Sequence, residues 1–430
     1  MRRRRPIVPI LLLVLVATSA CDSGERGARS GDVPWVTEVD STGDTVRIRI
    51  TGEVPAEQVR RLVPEVEIGA EDGADAETFG WVVSLLATRS RGFLVFDAQV
   101  PALSLFDSTG AFVKHIGQKG RGPGEFEQVN GVTSLPDGRI VLWDATGARL
   151  NIYSDTGAYL TSWRVPVSSH FGQNMLWSDD AGRVYTWAVL APDAVDISRG
   201  TRGVIVFGND GNVIDSLPYP VWREPAPSLL AKTPDGRGAS SYSFPFWPSS
   251  VATVSPLGGF VSGPGDPYLL YFTHRAGLKP VRVDRDHRPV PVTATERREQ
   301  RAMVEFGLRQ TDPNWSWTVT DIPANKPAFD GLFVALDGRV WVEVSTSAVA
   351  IAPAELPPIR PGQERQPRIT TRTPTRYDVF SPEGRLLGRV EFPRRVTFGT
   401  ARGNDVYAIR RDSLDVQYVM RYRIDPALPR

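Results

Sequence analysis

A short phrase recurs along the chain. A glycine-led apolar strand runs into an acidic turn, then a second apolar strand closes on an aromatic residue before a glycine turn. The clearest copy is Asp137–Gly157, DGRIVLWDATGARLNIYSDTG, and others begin at Gly92, Gly182, Gly258, Gly338 and Gly403. A period of this kind constrains the fold before any single residue does, because one unit cannot bury its apolar faces without its neighbours. The aromatics closing the second strand are Phe106, Tyr153, Phe207, Tyr271 (or Phe272), Phe380 and Tyr422. In the clearest copy another apolar stretch lies upstream (Gly131–Leu135) and one downstream (Ala158–Val165), which makes four antiparallel strands. Six four-stranded sheets repeated radially predict an all-β chain, a six-bladed β-propeller. The 47 residues from Phe106 to Tyr153 suit one blade, while the gaps of 54, 64 and 109 to Phe207, Tyr271 and Phe380 require insertions. A seventh, diverged blade is the alternative.

A second echo bears on how the ring closes. Ile68-Gly69 followed by Glu77-Thr78-Phe79 mirrors Ile116-Gly117 followed by Glu125-Phe126. The later set joins blade 1 to blade 2. By analogy a strand near residues 65–68 is the last strand of blade 6, supplied from the N-terminal side. Closure of this kind removes two open sheet edges. Thr45–Ile50 alternates apolar residues with arginine and reads as an extra outer strand.

The first 21 residues have another character. Arg2–Arg5, the apolar run Ile7–Val16 and the small residues Thr18-Ser19-Ala20 before Cys21 read as a secretory signal. The apolar run is shorter than the roughly 20 residues a spanning helix needs. The boundary around Cys21 resembles the lipobox of bacterial lipoproteins, with Thr18 where that motif carries leucine. The resemblance implies lipidation of Cys21, and two acyl chains anchor stably where one does not. Cleavage after Ala20 with plain secretion is the other reading. The expected organisation is a signal over 1–21, a polar, glycine-rich tether over 22–44 and the propeller over 45–430. Setting aside the four signal arginines leaves 46 basic and 49 acidic residues, a charge of −3. No basic field is left to attract nucleic acid. Cys21 is the only cysteine, so no intrachain disulfide forms and the fold holds by packing.

The phrases IGQKGRGPGEF (Ile116–Phe126), LPDGRIVLWD and, in blade 5, PAFDGLFVALDGRVWV (Pro327–Val342) resemble bacterial six-bladed propellers of the NHL and TolB-like type. The resemblance spans about Glu65 to Asp425 and implies a fold more than a function, since propellers host many activities. Two insertions break the repeat. Pro218–Ser250 is rich in proline and aromatics, and Trp222, Phe244, Phe246 and Trp247 are its candidate binding residues, either as a recognition surface or as a lid over their own blades. Thr293–Gln310 predicts a helix before blade 5, with Thr293 and Glu296 as a capping box and Ala302, Met303 and Phe306 on one packing face. Ser345–Thr375, within blade 5, is proline-rich and reads as an extended excursion.

Catalytic signals are sparse. The four histidines, His115, His170, His274 and His287, are scattered. Only His170, in the loop between blades 2 and 3, is expected near the channel mouth. No metal set and no cofactor is assigned. Asp97 and Asp144 end the second strands of blades 1 and 2, where an aspartate accepts turn N–H groups. Gly117–Gly124 lacks the GK[ST] ending of a phosphate loop, so its glycines serve the blade crossing and Phe126 wedges between sheets. Trp143, Trp187 and Trp341 are read as equivalent packing residues of three blades. No GxSxG, HExxH or CxxC is present. The expected function is therefore a lipid-anchored, extracytoplasmic, monomeric binding protein for a protein, peptide or small molecule. The alternative is a lyase or hydrolase with a metal-assisted site in the central channel.

Overall fold

The computed structural model describes residues 35–429 except 72–75, 101, 167–174, 192–199, 274–277, 357 and 360–361. Cys21, His170 and His274 lie outside the described residues. Six four-stranded antiparallel units follow one another, and they confirm the all-β six-bladed architecture. Blade 1 is built from Val82–Ala87, Phe93–Asp97, Leu103–Phe106 and Phe112–Ile116, and blade 2 from Val129–Ser134, Ile140–Asp144, Arg149–Tyr153 and Tyr159–Arg164. Blade 3 runs from Leu176–Ser178 to Val213–Pro218, and blade 5 takes Phe329–Val334, Val340–Val344, Arg376–Phe380 and Leu386–Glu391. The first strands of neighbouring blades contact one another, so they lie innermost and line the channel.

Burial follows from this stacking. The second strands Phe93–Asp97 and Ile140–Asp144 are buried at every position, because sheets cover both of their faces. The outer strands Phe112–Ile116 and Tyr159–Arg164 are mostly exposed. The core is a series of layers between blades. Leu94, Phe96 and Leu103 of blade 1 meet Ile140, Leu142 and Tyr153 of blade 2, with Phe126 among them. Gly117 permits that wedge: it sits at φ +67°, and a Cβ there would lie 2.5 Å from the Phe126 ring. Phe79 does the same between blades 6 and 1, packed with Ile68, Phe93, Phe106 and Tyr407.

Blade 6 contains Val396–Arg402, Asp405–Arg411 and Gln417–Asp425, and its fourth strand is Arg60–Ile68. That strand pairs antiparallel with Gln417–Asp425, from Arg61 opposite Asp425 to Ile68 opposite Val419. It also touches the outer strand of blade 5 in parallel, through Val390–Arg60 and Glu391–Arg61, which fuses blades 5 and 6 into one eight-stranded sheet. Blade 4 (Val251–Val254, Phe260–Gly263, Leu269–Phe272, Val281–Arg285) gains two further strands on its outer edge. Val46–Thr51 pairs in parallel with Val281–Arg285, and Val36–Asp40 adds to it. The polar lead-in is therefore shorter than 22–44. Every residue of Val36–Asp40 is exposed, so the strand has no buried face for an apolar alternation to reveal.

The helix spans Ala294–Arg309, with the capping box at Thr293 and Glu296 in place. Its buried face differs from the expected one. Glu296, Glu299, Val304 and Leu308 are buried, while Ala302, Met303 and Phe306 are half-buried. The two glutamates tie down neighbouring segments. Glu299 accepts hydrogen bonds from Thr370 N–H (2.9 Å) and the hydroxyls of Thr370 and Thr371 (2.5 and 2.6 Å), which fastens the end of the proline-rich excursion to the helix. No helix among the described residues is long and apolar enough to cross a membrane.

Candidate functional site

In an antiparallel blade the first strand starts, the second ends, the third starts and the fourth ends on the same face of the ring. All the insertions open on this face. The hairpin Leu229–Lys232 with Ala239–Tyr242, the segment around Phe244–Trp247, the helix and Trp315–Trp317 form a cap there with its own apolar core. Phe244 stacks edge-on against Trp247 (5.2 Å) and Trp317 (5.4 Å) and is only 5% exposed. Phe246 and Trp247 pack against the same core. Trp222 is apart from them, on blade 4: its Nε1 donates to Ser262 Oγ (3.1 Å) and its ring meets Tyr271 at 5.8 Å. The aromatics of the first insertion thus spend most of their surface on one another and on the propeller, as a lid does.

Lys326 ties the lid to blade 5. This buried lysine pairs with Glu296 of the helix (2.6 Å), donates to the Thr346 carbonyl (2.8 Å) and lies 5.4 Å from the Phe246 ring centre. Four residues later comes Asp330, on the innermost strand of blade 5. It is the extra residue of a β-bulge, where the pairing register jumps from Phe329 to Gly331. Bulges at the same register in blades 1 and 2 hold Val83 and Asn130. A bulge re-aims a side chain, and Asp330 is exposed on the innermost strand of its blade. Beside it is Glu343, paired with Gly331 across the first two strands. Tyr377 O–H donates to Glu343 Oε2 (3.2 Å).

Glu343 breaks the repeat. Counting three residues on from the partner of the closing aromatic gives Phe96 in blade 1, Trp143 in blade 2, Trp187 in blade 3 and Ile409 in blade 6. In blade 4 pairing to the inner strand gives Gly263, and in blade 5 the residue is Glu343. Trp341 is therefore not the equivalent of Trp143. It faces Phe333 and Val379, two residues earlier, fully buried between blades 5 and 6.

Both carboxyls are held above the usual carboxylate range. For Glu343 the cause is first burial and then the charge of Asp330, partly offset by the Tyr377 hydrogen bond. For Asp330 it is burial, offset by its own backbone N–H and by Lys326. Asp330 touches water, but protein walls it on the other sides, and such a position desolvates the charged form. Burial also pushes the Tyr377 phenol up.

The remaining candidates are structural. Asp97 accepts from the N–H groups of Gly80 (2.8 Å), Trp81 (3.0 Å) and Gln99 (2.7 Å). Asp144 accepts from Glu127 and Gln128 (both 3.2 Å). Each aspartate latches the entry of its own blade. His115 sits on an outer strand against Ser104 (3.1 Å), and His287 lies 3.8 Å from Asp266. Among the described residues no group of three or more His, Cys, Asp or Glu is placed to hold a metal ion.

Residues 80–188 match the family model DUF5128, a 6-bladed beta-propeller. No curated protein sequence matches the chain. Among solved structures, a member of the DUF4221 family from Bacteroides vulgatus superposes with a TM-score of 0.51 at 12% identity, over 86% of this chain and 99% of that one. A Bacteroides fragilis protein gives 0.46 at 12% identity over 88% and 99%, and a Xanthomonas campestris gluconolactonase gives 0.34 at 12% over 85% and 98%. The last two are too distant to carry an argument. The register of the blades, the family model and the DUF4221 likeness agree on the fold: the chain is a six-bladed β-propeller.

Proposed function

We propose that this protein is an extracytoplasmic, lipid-anchored propeller that binds a small organic cation at the blade-5 corner of its capped channel mouth. The observation that carries the reading is the pair Asp330 and Glu343. A bulge and a break in the apolar repeat put two carboxylates side by side where the other blades hold apolar residues or the amide of Asn130. Two like charges in a crowded site raise one another's pKa, and a perturbed pair in a cleft marks a candidate functional site. Asp330 makes no ion pair with any described residue, and Glu343 has only the Tyr377 hydroxyl. An ammonium group would neutralise both. The basic start Arg2–Arg5 and Cys21 support export and anchoring, and palmitate labelling abolished by Cys21→Ser tests the anchor.

A second reading follows from the raised carboxyls: burial shifts both toward the protonated form, the direction that suits a general acid, so a lyase or hydrolase in the channel is the alternative. Thermal unfolding of the intact chain with putrescine, with calcium chloride and with sodium chloride at matched ionic strength separates the two. A saturable rise in Tm with putrescine, lost in Asp330→Asn/Glu343→Gln, supports the cation-binding reading. A response to calcium alone favours a metal-assisted channel site. No response to either beyond sodium removes the proposal.

A further inference from the structure

A second polar site lies between blades 4 and 5, outside the carboxylate pair. Its centre is Asp378, on the third strand of blade 5 and fully buried. Asp378 Oδ2 accepts from Arg285 Nε (3.0 Å), Arg389 Nη2 (3.1 Å) and Tyr268 O–H (3.1 Å), and Oδ1 accepts from Arg389 Nε (2.6 Å). One carboxylate thus serves two guanidinium groups. The Arg285 side chain is 1% exposed, and neither Nη1 nor Nη2 has a hydrogen-bond acceptor. Burying a charged donor without an acceptor costs more than any neutral hydrogen bond returns. Packing alone does not call for arginine here: Phe329, Phe380 and Val283 fill the surrounding layer with apolar side chains.

Tyr268 and Arg389, the two side chains that share Asp378 with Arg285, form one wall of a cavity of about 520 Å³. Arg288, Ser345 and Ser347 also line it, and Glu53 is the acid among its lining residues. Arg376 lines it too, already paired with Glu391 (2.6 Å). Arg288 is exposed and makes no ion pair with any described residue. The cavity therefore offers one free guanidinium at its mouth, two serine hydroxyls, and a wall backed by two guanidinium groups on one carboxylate, with Glu53 beside Arg389 as the only further acid of the lining. Its size is that of a small-molecule site.

We infer that this inter-blade cavity binds a small oxyanion, a carboxylate or phosphate group, held by Arg288 and the serines and drawn by the excess charge of the Arg285–Asp378–Arg389 cluster. Guanidinium groups suit such ligands because their paired N–H groups match two oxygens of the anion. The site is independent of the cation proposed for the channel mouth.

The test is thermal unfolding of the intact chain titrated with inorganic phosphate and, separately, with succinate, each against sodium chloride at matched ionic strength. A ligand bound only by the folded state raises Tm with saturation. The expected result is a saturable rise with phosphate or succinate that chloride does not give; the two arms decide which oxyanion is preferred. Arg288→Gln, a surface change, weakens the apparent affinity roughly tenfold, the loss of one charge-assisted hydrogen bond. Arg285→Met leaves the Asp378–Arg389 pair intact and, by removing one positive charge behind the wall, weakens the response. Equal curves for phosphate, succinate and chloride would overturn the inference. So would an Arg288→Gln protein that responds as the parent does, and this variant decides the matter alone if Arg285→Met fails to fold.

Discussion

The ring is closed by a strand from the far end of the chain, so a substitution on that strand should cost far more than the same substitution on an ordinary outer strand. Leu62 lies on the closing strand Arg60–Ile68 and is 7% exposed, packed with Trp341, Tyr377 and Phe392 from the blade-5 side and Tyr422 and Ile424 from blade 6. Leu62→Ala removes buried carbons from a layer that two sheets pin in place, and such changes cost about 3 kcal/mol when the site relaxes little. Unfolding entropy near 2.1 cal/mol/K per residue, over roughly 400 residues, gives about 0.8 kcal/mol/K. The midpoint should therefore fall by about 3–4 °C. Leu160 is the control: it lies on the outer strand Tyr159–Arg164 of blade 2 and is 52% exposed, so Leu160→Ala should cost no more than about 0.5 kcal/mol. Calorimetry and urea unfolding of both variants make the comparison. The parent and both variants should melt in one transition, because an unclosed ring exposes edges on both sides of the gap. Equal shifts for Leu62→Ala and Leu160→Ala would refute the closure argument, as would a separate early transition for blade 6 in the parent protein.

Two further outcomes are expected. Asp97→Ala leaves the N–H groups of Gly80 and Trp81 without their acceptor and should cost about 2–4 kcal/mol by urea unfolding; a change under about 0.5 kcal/mol would show that the latch is dispensable. Glu343→Gln should raise Tm at pH 7. Because burial and Asp330 lift the folded pKa of Glu343 above its unfolded value, the folded state holds the proton longer, and stability falls as pH rises from the unfolded pKa through the folded one. The gain from the substitution should shrink on acidification and vanish below about pH 4, where both states are protonated; a gain that persists at pH 3 would point to a packing effect.

The fold was legible because the repeat carries it. Each copy brings its own glycine turn and closing aromatic, and those are local signals. The site was harder to read. Aligning the copies on tryptophan set Trp341 beside Trp143 and hid Glu343. Aligning them on their shared Asp-Gly-Arg, Asp137–Arg139 and Asp337–Arg339, puts Glu343 in the Trp143 position, as the pairing registers do. The 345–375 insertion separates Glu343 from Tyr377 and Phe380, so the closing aromatic no longer marks the register by proximity. Asp330 was hidden for another reason: a bulge is one extra residue in a short strand, and which residue it is shows only in the pairing with the second strand. The aromatics of Pro218–Ser250 were visible as a cluster. That Phe244 also faces Trp317 depends on a segment 73 residues further along the chain, which no local pattern encodes.

The closing strand has a consequence for how the molecule comes into being. Arg421 reaches Glu65 across 356 residues of sequence (3.3 Å), and Val82 N–H donates to Gln417 Oε1 (2.9 Å). Contacts of such sequence separation are the slow ones, since the loop entropy must be spent before they return anything. Among the described strands Arg60–Ile68 comes early in the sequence and its partner Gln417–Asp425 comes last. Until Gln417–Asp425 is in place, the earlier strand has no antiparallel neighbour. Closure of this propeller accordingly waits on Gln417–Asp425, and a chain lacking that strand loses the join between blade 6 and Arg60–Ile68.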